Sequence, residues 1–198
     1  MADTQDNPVE GQATTPLVVA DDELVERALR DRAAFAELYR RHLSRVYRYA
    51  LAQTGGDAQQ AQDVTAQTFL AALEKLDTFR RTGTFISWLL TIARHKAADL
   101  HRSRREVAPL EEAAEVASRE PSPERIVAAR LELAQVLHTL QSLAPDRAEA
   151  LALRIFGELT TAEVAAVMGK SEAAVKMLVH RAVGDLRERL GHRIEAEL

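Results

Sequence analysis

Apolar residues recur at spacings of three and four over nearly the whole chain, the pattern of helices that each bury one face. Leu24, Val25, Ala28 and Leu29 make a first stripe behind Asp21 and Asp22, whose carboxylates suit a helix start by capping and by favouring its dipole. Phe35, Leu38, Tyr39, Leu43, Val46, Tyr47 and Ala50 make a second, ended by Gly55 and Gly56. Asp57 opens a third helix, with Ala61, Val64, Thr65, Thr68, Phe69, Ala72, Leu73 and Leu76 facing inward. A short connection, "DTFRRTG", leads to Thr84, placed to cap a helix with Phe85, Trp88, Leu89, Ile92 and Ala93 on one face. That helix runs on through "ARHKAADLHRSRRE".

The pattern breaks after Arg105. Residues 106–122 bring Glu111, Glu112, Glu115 and Glu120 together with Pro109 and Pro121, the composition of an acidic linker. A helix resumes at Pro123, which a first turn tolerates, with Ile126, Val127, Leu131, Leu133, Leu137 and Leu140 as its apolar positions. Pro145 starts another, stopped by Gly157. Thr160 and Glu163 stand at capping-box spacing and open the next. Gly169 ends that one, and Ser171 caps a last helix reaching about Glu195. No strand alternation or hairpin turn interrupts the series. The expected class is all-α: a tail over 1–20, a helical bundle over 21–105, an acidic linker over 106–122 and a second bundle over 123–198.

Composition narrows the chemistry. With no cysteine among 198 residues, thiol catalysis, disulfides and zinc-thiolate sites are excluded. No apolar run reaches the roughly 20 residues that span a bilayer, and residues 1–20 lack a basic start and an apolar core, so the expectation is a cytoplasmic protein without membrane insertion. The histidines are scattered, with His95 and His101 six apart, a poor spacing for shared ligation on a helix, and no metal site is expected. No G-x-S-x-G elbow, phosphate-binding loop or dinucleotide fingerprint is present, so neither a catalytic site nor a cofactor is expected.

The stretch "TAEVAAVMGKSEAAVKMLVHRA" has the spacing of a helix-turn-helix. Ala165 lets two helices approach, Gly169 accepts the left-handed turn and Val175 fills the second helix from inside, at offsets of four and ten. In that motif the second helix lies in the DNA major groove. Ser171, Glu172, Ala173, Lys176, Met177 and His180 would then meet base edges, while Arg181, Arg187 and Arg189 reach phosphates. The same spacing also fits a plain helical hairpin with a basic surface, and Lys170 stands where an apolar residue usually closes the turn. A second basic run, Arg94, His95, Lys96, Arg102, Arg104 and Arg105, follows Phe79, Phe85 and Trp88. Basic groups beside aromatic rings suit single-stranded or melted DNA, although Phe85 and Trp88 also lie on the apolar stripe and fit a core role. The net charge of −4 is low for a nucleic-acid binder; the clustering of the bases matters more than their sum.

Taken in order, "FAELYRRHLSRVYRYA", "AQDVTAQTF", "FISWLLTIARHKAADLHRSRR" and "LAPDRAEALALRIFGELTTAEVAAVMGKSEAAVKMLVHRAVGDLRERL" resemble the extracytoplasmic-function type of bacterial RNA polymerase sigma factors, over about residues 21–192. The resemblance implies that the first bundle is sigma domain 2, docking on the clamp helices of core RNA polymerase and capturing the melted minus-ten strand. The second would be domain 4, reading the minus-thirty-five duplex and touching the polymerase flap. It implies no catalysis. Arg94, His95, Lys96, Arg102, Arg104 and Arg105 would face minus-ten DNA, His95 standing where the family often has asparagine. Trp88 would hold the helix in its bundle, and the connection from Asp77 to Gly83 would help receive an extruded base. In the second bundle Lys176, His180 and Arg181 match the family pattern, while Leu178 and Val183 replace common arginines.

One stretch departs from that family. Where an acidic run usually meets the polymerase clamp, this chain has Gln60, Gln62, Asp63, Ala66 and Gln67, and only Asp63 is charged. Fewer carboxylates imply weaker steered association. Two expectations follow: drift with compensating contacts, or charge supplied by a Ser/Thr kinase at Thr65 or Thr68, since a phosphate adds about −1.5 to −2 charges. An anti-sigma factor is a further possible partner by family resemblance. The readings that compete with a sigma factor are a self-standing helix-turn-helix regulator and a non-transcribing interaction module that binds sigma regulators.

Overall fold

The structure is a computed structural model that describes residues 19–106 and 123–196. The described residues form eight α-helices and two short 3₁₀ turns, with no strand. The first block holds α1 (Asp21–Arg30), α2 (Phe35–Gln53), α3 (Ala58–Glu74) and α4 (Phe85–Glu106). The second holds α5 (Pro123–Gln141), α6 (Pro145–Ile155), α7 (Thr161–Met168) and α8 (Glu172–Ala196). The all-α class and the helix order agree with the sequence pattern. The tail and most of the linker lie outside the described residues.

Local chemistry sets the helix ends. Asp57 caps α3, its carboxylate accepting from the Gln60 amide at 2.9 Å. Gly55 and Gly56 carry the chain out of α2 at φ of 67° and 97°, a region glycine enters without steric cost. Asp21 and Asp22 stand in the first turn of α1 as expected, but Ala20 occupies the cap position and no side chain caps there. Asp21 instead accepts from Arg41 and His42 of α2, both at 2.7 Å, pinning α1 to its neighbour. Burial lowers the His42 pKa more than Asp21 raises it, so the ring donates from Nε2 as a neutral imidazole.

Burial follows the apolar stripes with a few changes. In α3 every residue expected to face inward is buried except Leu73, which is half-buried. Leu29 and Tyr39 are exposed, whereas His42, Tyr49 and Ala52, outside the stripe, are buried. Phe79, Phe85 and Trp88 pack as a ring cluster with centroids 5.5–5.6 Å apart, which gives Trp88 the packing role that the resemblance implies.

The two blocks do not stand apart. One continuous hydrophobic cluster runs from Leu24 and Phe85 through Leu137, Leu140 and Leu143 to Val175 and Ala182. Each leucine so buried contributes about 1.5–3 kcal/mol. Polar contacts complete the seam. Gln141 donates to the carbonyl of Ala52 at 2.7 Å, and Arg45 donates to that of Gly157 at 2.8 Å. Gly157 has no room for a side chain: a Cβ there would lie 2.6 Å from the Leu153 carbonyl oxygen of its own block and 2.8 Å from Leu90 of α4. Gly157→Ala should therefore destabilise the chain by about 1–3 kcal/mol, as overpacking does. Urea unfolding of the variant beside wild type checks this, and equal stability would contradict the close approach.

Candidate nucleic-acid and partner interface

The turn between α7 and α8 is built by its own side chains. Thr160 and Glu163 form the capping box: the Thr160 hydroxyl accepts from the Glu163 amide at 3.3 Å, and Glu163 accepts from the Thr160 amide at 2.7 Å. Desolvation pushes the Glu163 carboxyl up, but hydrogen bonds from Thr84 and Thr160 outweigh it, so its pKa lies below the usual range. Gly169 adopts φ 63°, ψ 37°, and the next amide, Lys170, donates to Ala165 at 2.9 Å. Ala165 and Val175 are buried at 6% and 0%, as the motif requires. The Ser171 hydroxyl accepts from the Ala174 amide at 3.2 Å and caps α8. Lys170, out of place in an apolar turn, pairs with Asp146 of α6 at 2.9 Å, so its charge is met.

This construction leaves one face of α8 open. Ser171, Glu172, Ala173, Lys176, Met177, His180 and Arg181 are all exposed. Ala173, Lys176, Met177 and His180 follow one another at helical spacing along that face. Arg187 is exposed further along. Arg189 donates to the Ser142 hydroxyl at 2.6 Å and to its carbonyl at 2.9 Å, so it ties α8 to the end of α5.

The basic run of α4 divides between faces. His95 and Arg102 are exposed, with Arg102 paired to Asp99 on its own helix. Lys96 is half-buried on another side. The side chains of Arg104 and Arg105 lie outside the described residues. Arg94 turns towards the second block, its Nε 3.7 Å from a carboxylate oxygen of Glu149 in α6. A cleft of about 500 Å³ lies there, lined by Arg94, His95, His101 and Arg102 from α4 and by Gln141 and Glu149 across it. His101 was not singled out by the sequence; its Nε2 stands 3.0 Å from the Gln53 carbonyl oxygen.

Glu149 is the polar centre of the seam. The Tyr49 hydroxyl donates to it at 2.7 Å and the Gln53 amide at 3.1 Å. Burial pushes its carboxyl above the usual range, and these donors and Arg94 offset only part of that shift. Burial also pushes the Tyr49 phenol well up, with Glu149 adding to the effect. Nearby, Arg48 pairs with Glu158, and Arg45 lies 3.5 Å from the same carboxylate. No local pattern announces these partners, because they meet across about a hundred positions of chain.

The outer face of α3 carries the acid-poor stretch. Gln62, Asp63, Ala66 and Gln67 are exposed, as a docking surface needs. Gln60 is half-buried, and its amide side chain donates to Asp57 and completes the helix cap. Leu70, which the sequence reading did not pick out, is 62% exposed on the same face, four residues after Ala66. Thr65 and Thr68 are 5% and 0% exposed. Their hydroxyls donate to the carbonyls of Ala61 and Val64, both at 2.6 Å. In this fold both hydroxyls face the core.

A family model described as Sigma-70 region 2 matches residues 38–107, and one described as Sigma-70, region 4 matches residues 133–186. The ECF RNA polymerase sigma factor BldN of Streptomyces coelicolor is 44% identical over 171 residues, which cover 83% of this chain and 63% of that protein, so the chain spans less than two thirds of that relative. The RNA polymerase sigma factor CnrH of Cupriavidus metallidurans is 38% identical over 162 residues, 75% of this chain and 82% of that protein. Among solved structures, that of CnrH in complex with the cytosolic domain of CnrY superposes with a TM-score of 0.69 at 32% identity, covering 88% of this chain and 99% of that one. The sigma factor RpoE in complex with the anti-sigma factor NepR from Bartonella quintana superposes at 0.65 and 25% identity, covering 79% and 96%.

The raised pKa of Glu149 gives a pH dependence of definite sign. Between the ordinary carboxylate range and the raised value, the folded chain holds a proton that the unfolded chain has released. Stability from this group therefore falls as pH rises through that window and recovers on acidification. Glu149→Gln removes the effect. Urea unfolding at neutral and mildly acidic pH should show wild type gaining on the variant as pH falls; a constant difference would contradict the shift.

Proposed function

Because the chain belongs to the sigma-70 family of RNA polymerase sigma factors, in its extracytoplasmic-function type, we propose that it directs core RNA polymerase to particular promoters through the surfaces described above. The observation that carries this reading is the ordered pair of matched regions, 38–107 and 133–186, with an open basic helix face in the second. The α8 face reads the minus-thirty-five duplex, with Lys176 and His180 at base edges and Arg181 on phosphate. The basic side chains of α4, Arg94, His95 and Arg102 on the cleft side and Lys96 on another, follow the melted minus-ten strand. Core polymerase docks on α3. The protein supplies specificity and performs no bond chemistry. A regulator of the anti-sigma class belongs to the same reading, since the RpoE neighbour is bound to one. A self-standing regulator leaves the match to region 2 without a role.

The α3 face gives the docking a distinct character. With Asp63 as its one carboxylate among Gln62, Ala66, Gln67 and Leu70, attraction rests on apolar contact and amide hydrogen bonds. Such contact is screened little by salt, whereas steering between charges falls with ionic strength.

Run-off transcription with core polymerase on fragmented DNA of the source genome tests the function: discrete new start sites are expected, and their absence together with no binding to core would refute it. Leu70→Asp should weaken binding to core at least tenfold while Asp63→Asn changes it little, read by fluorescence anisotropy at low and high salt. Arg181→Ala should weaken binding to the minus-thirty-five duplex found in this way and lower the salt slope by about one, as expected for one lost phosphate contact.

A further inference from the structure

A groove of about 930 Å³, lined by the first block alone, lies between α1 and the start of α2. Its apolar lining includes Val19, Leu24 and Ala34, and Arg27, Arg30, Arg40 and Arg41 stand around it. Two carboxylates also line it, and both are engaged. Asp31 accepts from the Ala33 amide at 2.9 Å, and Glu37 pairs with Arg40 at 2.7 Å. Arg27 and Arg30 are exposed, and neither side chain has a partner among the described residues. Four guanidinium groups against two carboxylates leave the groove positive. Arg41 donates to the carbonyl of Val19 and to Asp21, both at 2.7 Å, and so holds the chain where it enters α1.

We propose that this groove is the docking site of the chain's own residues 1–18, whose acids meet its arginines. Those residues lie outside the described ones and join the structure at Val19, itself part of the groove wall. They carry Asp3, Asp6 and Glu10 and no lysine or arginine, with Val9, Leu17 and Val18 as apolar groups to meet Leu24 and Ala34. The planar fork of arginine suits a carboxylate through two parallel hydrogen bonds. Reach is sufficient. Glu10 stands nine positions before Val19, a span of at most about 30 Å. The ten residues of α1 cover about 15 Å, so Glu10 can meet Arg27 and Arg30 near the far end of that helix with slack to bend. Tethering makes the docking an internal event, at an effective concentration in the millimolar range. An intrinsic affinity of about 0.1 mM then fills the groove about nine-tenths of the time, so weak pairs between exposed charges suffice. An acidic segment of another protein has the same chemistry but lacks the tether. Nothing in this placement depends on the promoter-reading function.

A glutamyl endopeptidase that cuts after Glu10 reports the docking in the full chain, with a free peptide of residues 1–18 as the reference for an uncovered site. Mass spectrometry follows the cut. At low salt the chain should be cut there about tenfold more slowly than the peptide, and this protection should fade at high salt, where charges are screened. Arg27→Glu with Arg30→Glu should speed the cut at least fivefold. Adding Asp3→Arg and Asp6→Arg to that variant should restore protection, which also shows that the reversed groove is still folded. Equal cutting of chain and peptide would overturn the proposal and leave the groove to an acidic segment of another protein. Protection that survives the reversal of both arginines would overturn it too, because the tail would then be covered elsewhere. So would protection that falls on dilution, since the groove would then hold the tail of a second copy.

Discussion

A carboxylate taken out of water needs partners, and in this protein Glu149 finds them in the other half of the chain. Tyr49, Gln53 and Arg94 all come from the first block, while the carboxylate comes from α6 of the second. Apolar surfaces could slide over one another with small loss, since burial is non-directional. A buried charge is intolerant of such sliding, because each lost donor leaves it exposed to the full cost of desolvation. Glu149 thus fixes the register in which α6 lies against α2 and α4. Gly157, a few residues on, sets the distance by admitting Leu90 where a methyl group would not fit. The turns and faces on either side inherit their positions from these two constraints.

Most of the helical frame was legible in the sequence because its causes are local. A cap and its amide lie three residues apart at Asp57, Thr160 and Ser171, and the inward set of α3 is visible as a period. The open face of α8 was legible for the same reason: Ala165, Gly169 and Val175 fix which side is buried, and what remains is exposed. The seam was illegible, since Tyr49 and Glu149 are a hundred positions apart and nothing near either residue announces the other. The acidic linker predicts two bundles, and only packing reveals that they share a core. Thr65 and Thr68 read correctly as inward, because their place in the apolar period is local too. A side chain that closes its own helix, as Gln60 does, looks no different in sequence from one that meets a partner.

The basic run of α4 shows how one helix serves several neighbours. Successive residues point 100° apart, so six bases in twelve positions cannot share a face. Arg94 and Arg102 look into the cleft towards the second block, while Lys96 lies elsewhere. A charge run is therefore a poor unit of function on a helix. The useful unit is the set of residues three and four apart, and by that measure the cleft-facing group includes His101, which composition alone did not distinguish from the other histidines.

Glu163 divides its two oxygens between two tasks. Oε2 accepts from Thr160 and begins α7, while Oε1 accepts from Thr84 of the other block. The residue would be retained by selection for the first task whether or not the second existed. A docking contact recruited from a side chain already indispensable to its own helix leaves no separate imprint on an alignment: it would neither co-vary with its distant partner nor stand out as unusually constrained. Interfaces assembled from such dual-purpose groups can arise without new substitutions on that side, and comparative genetics would overlook them.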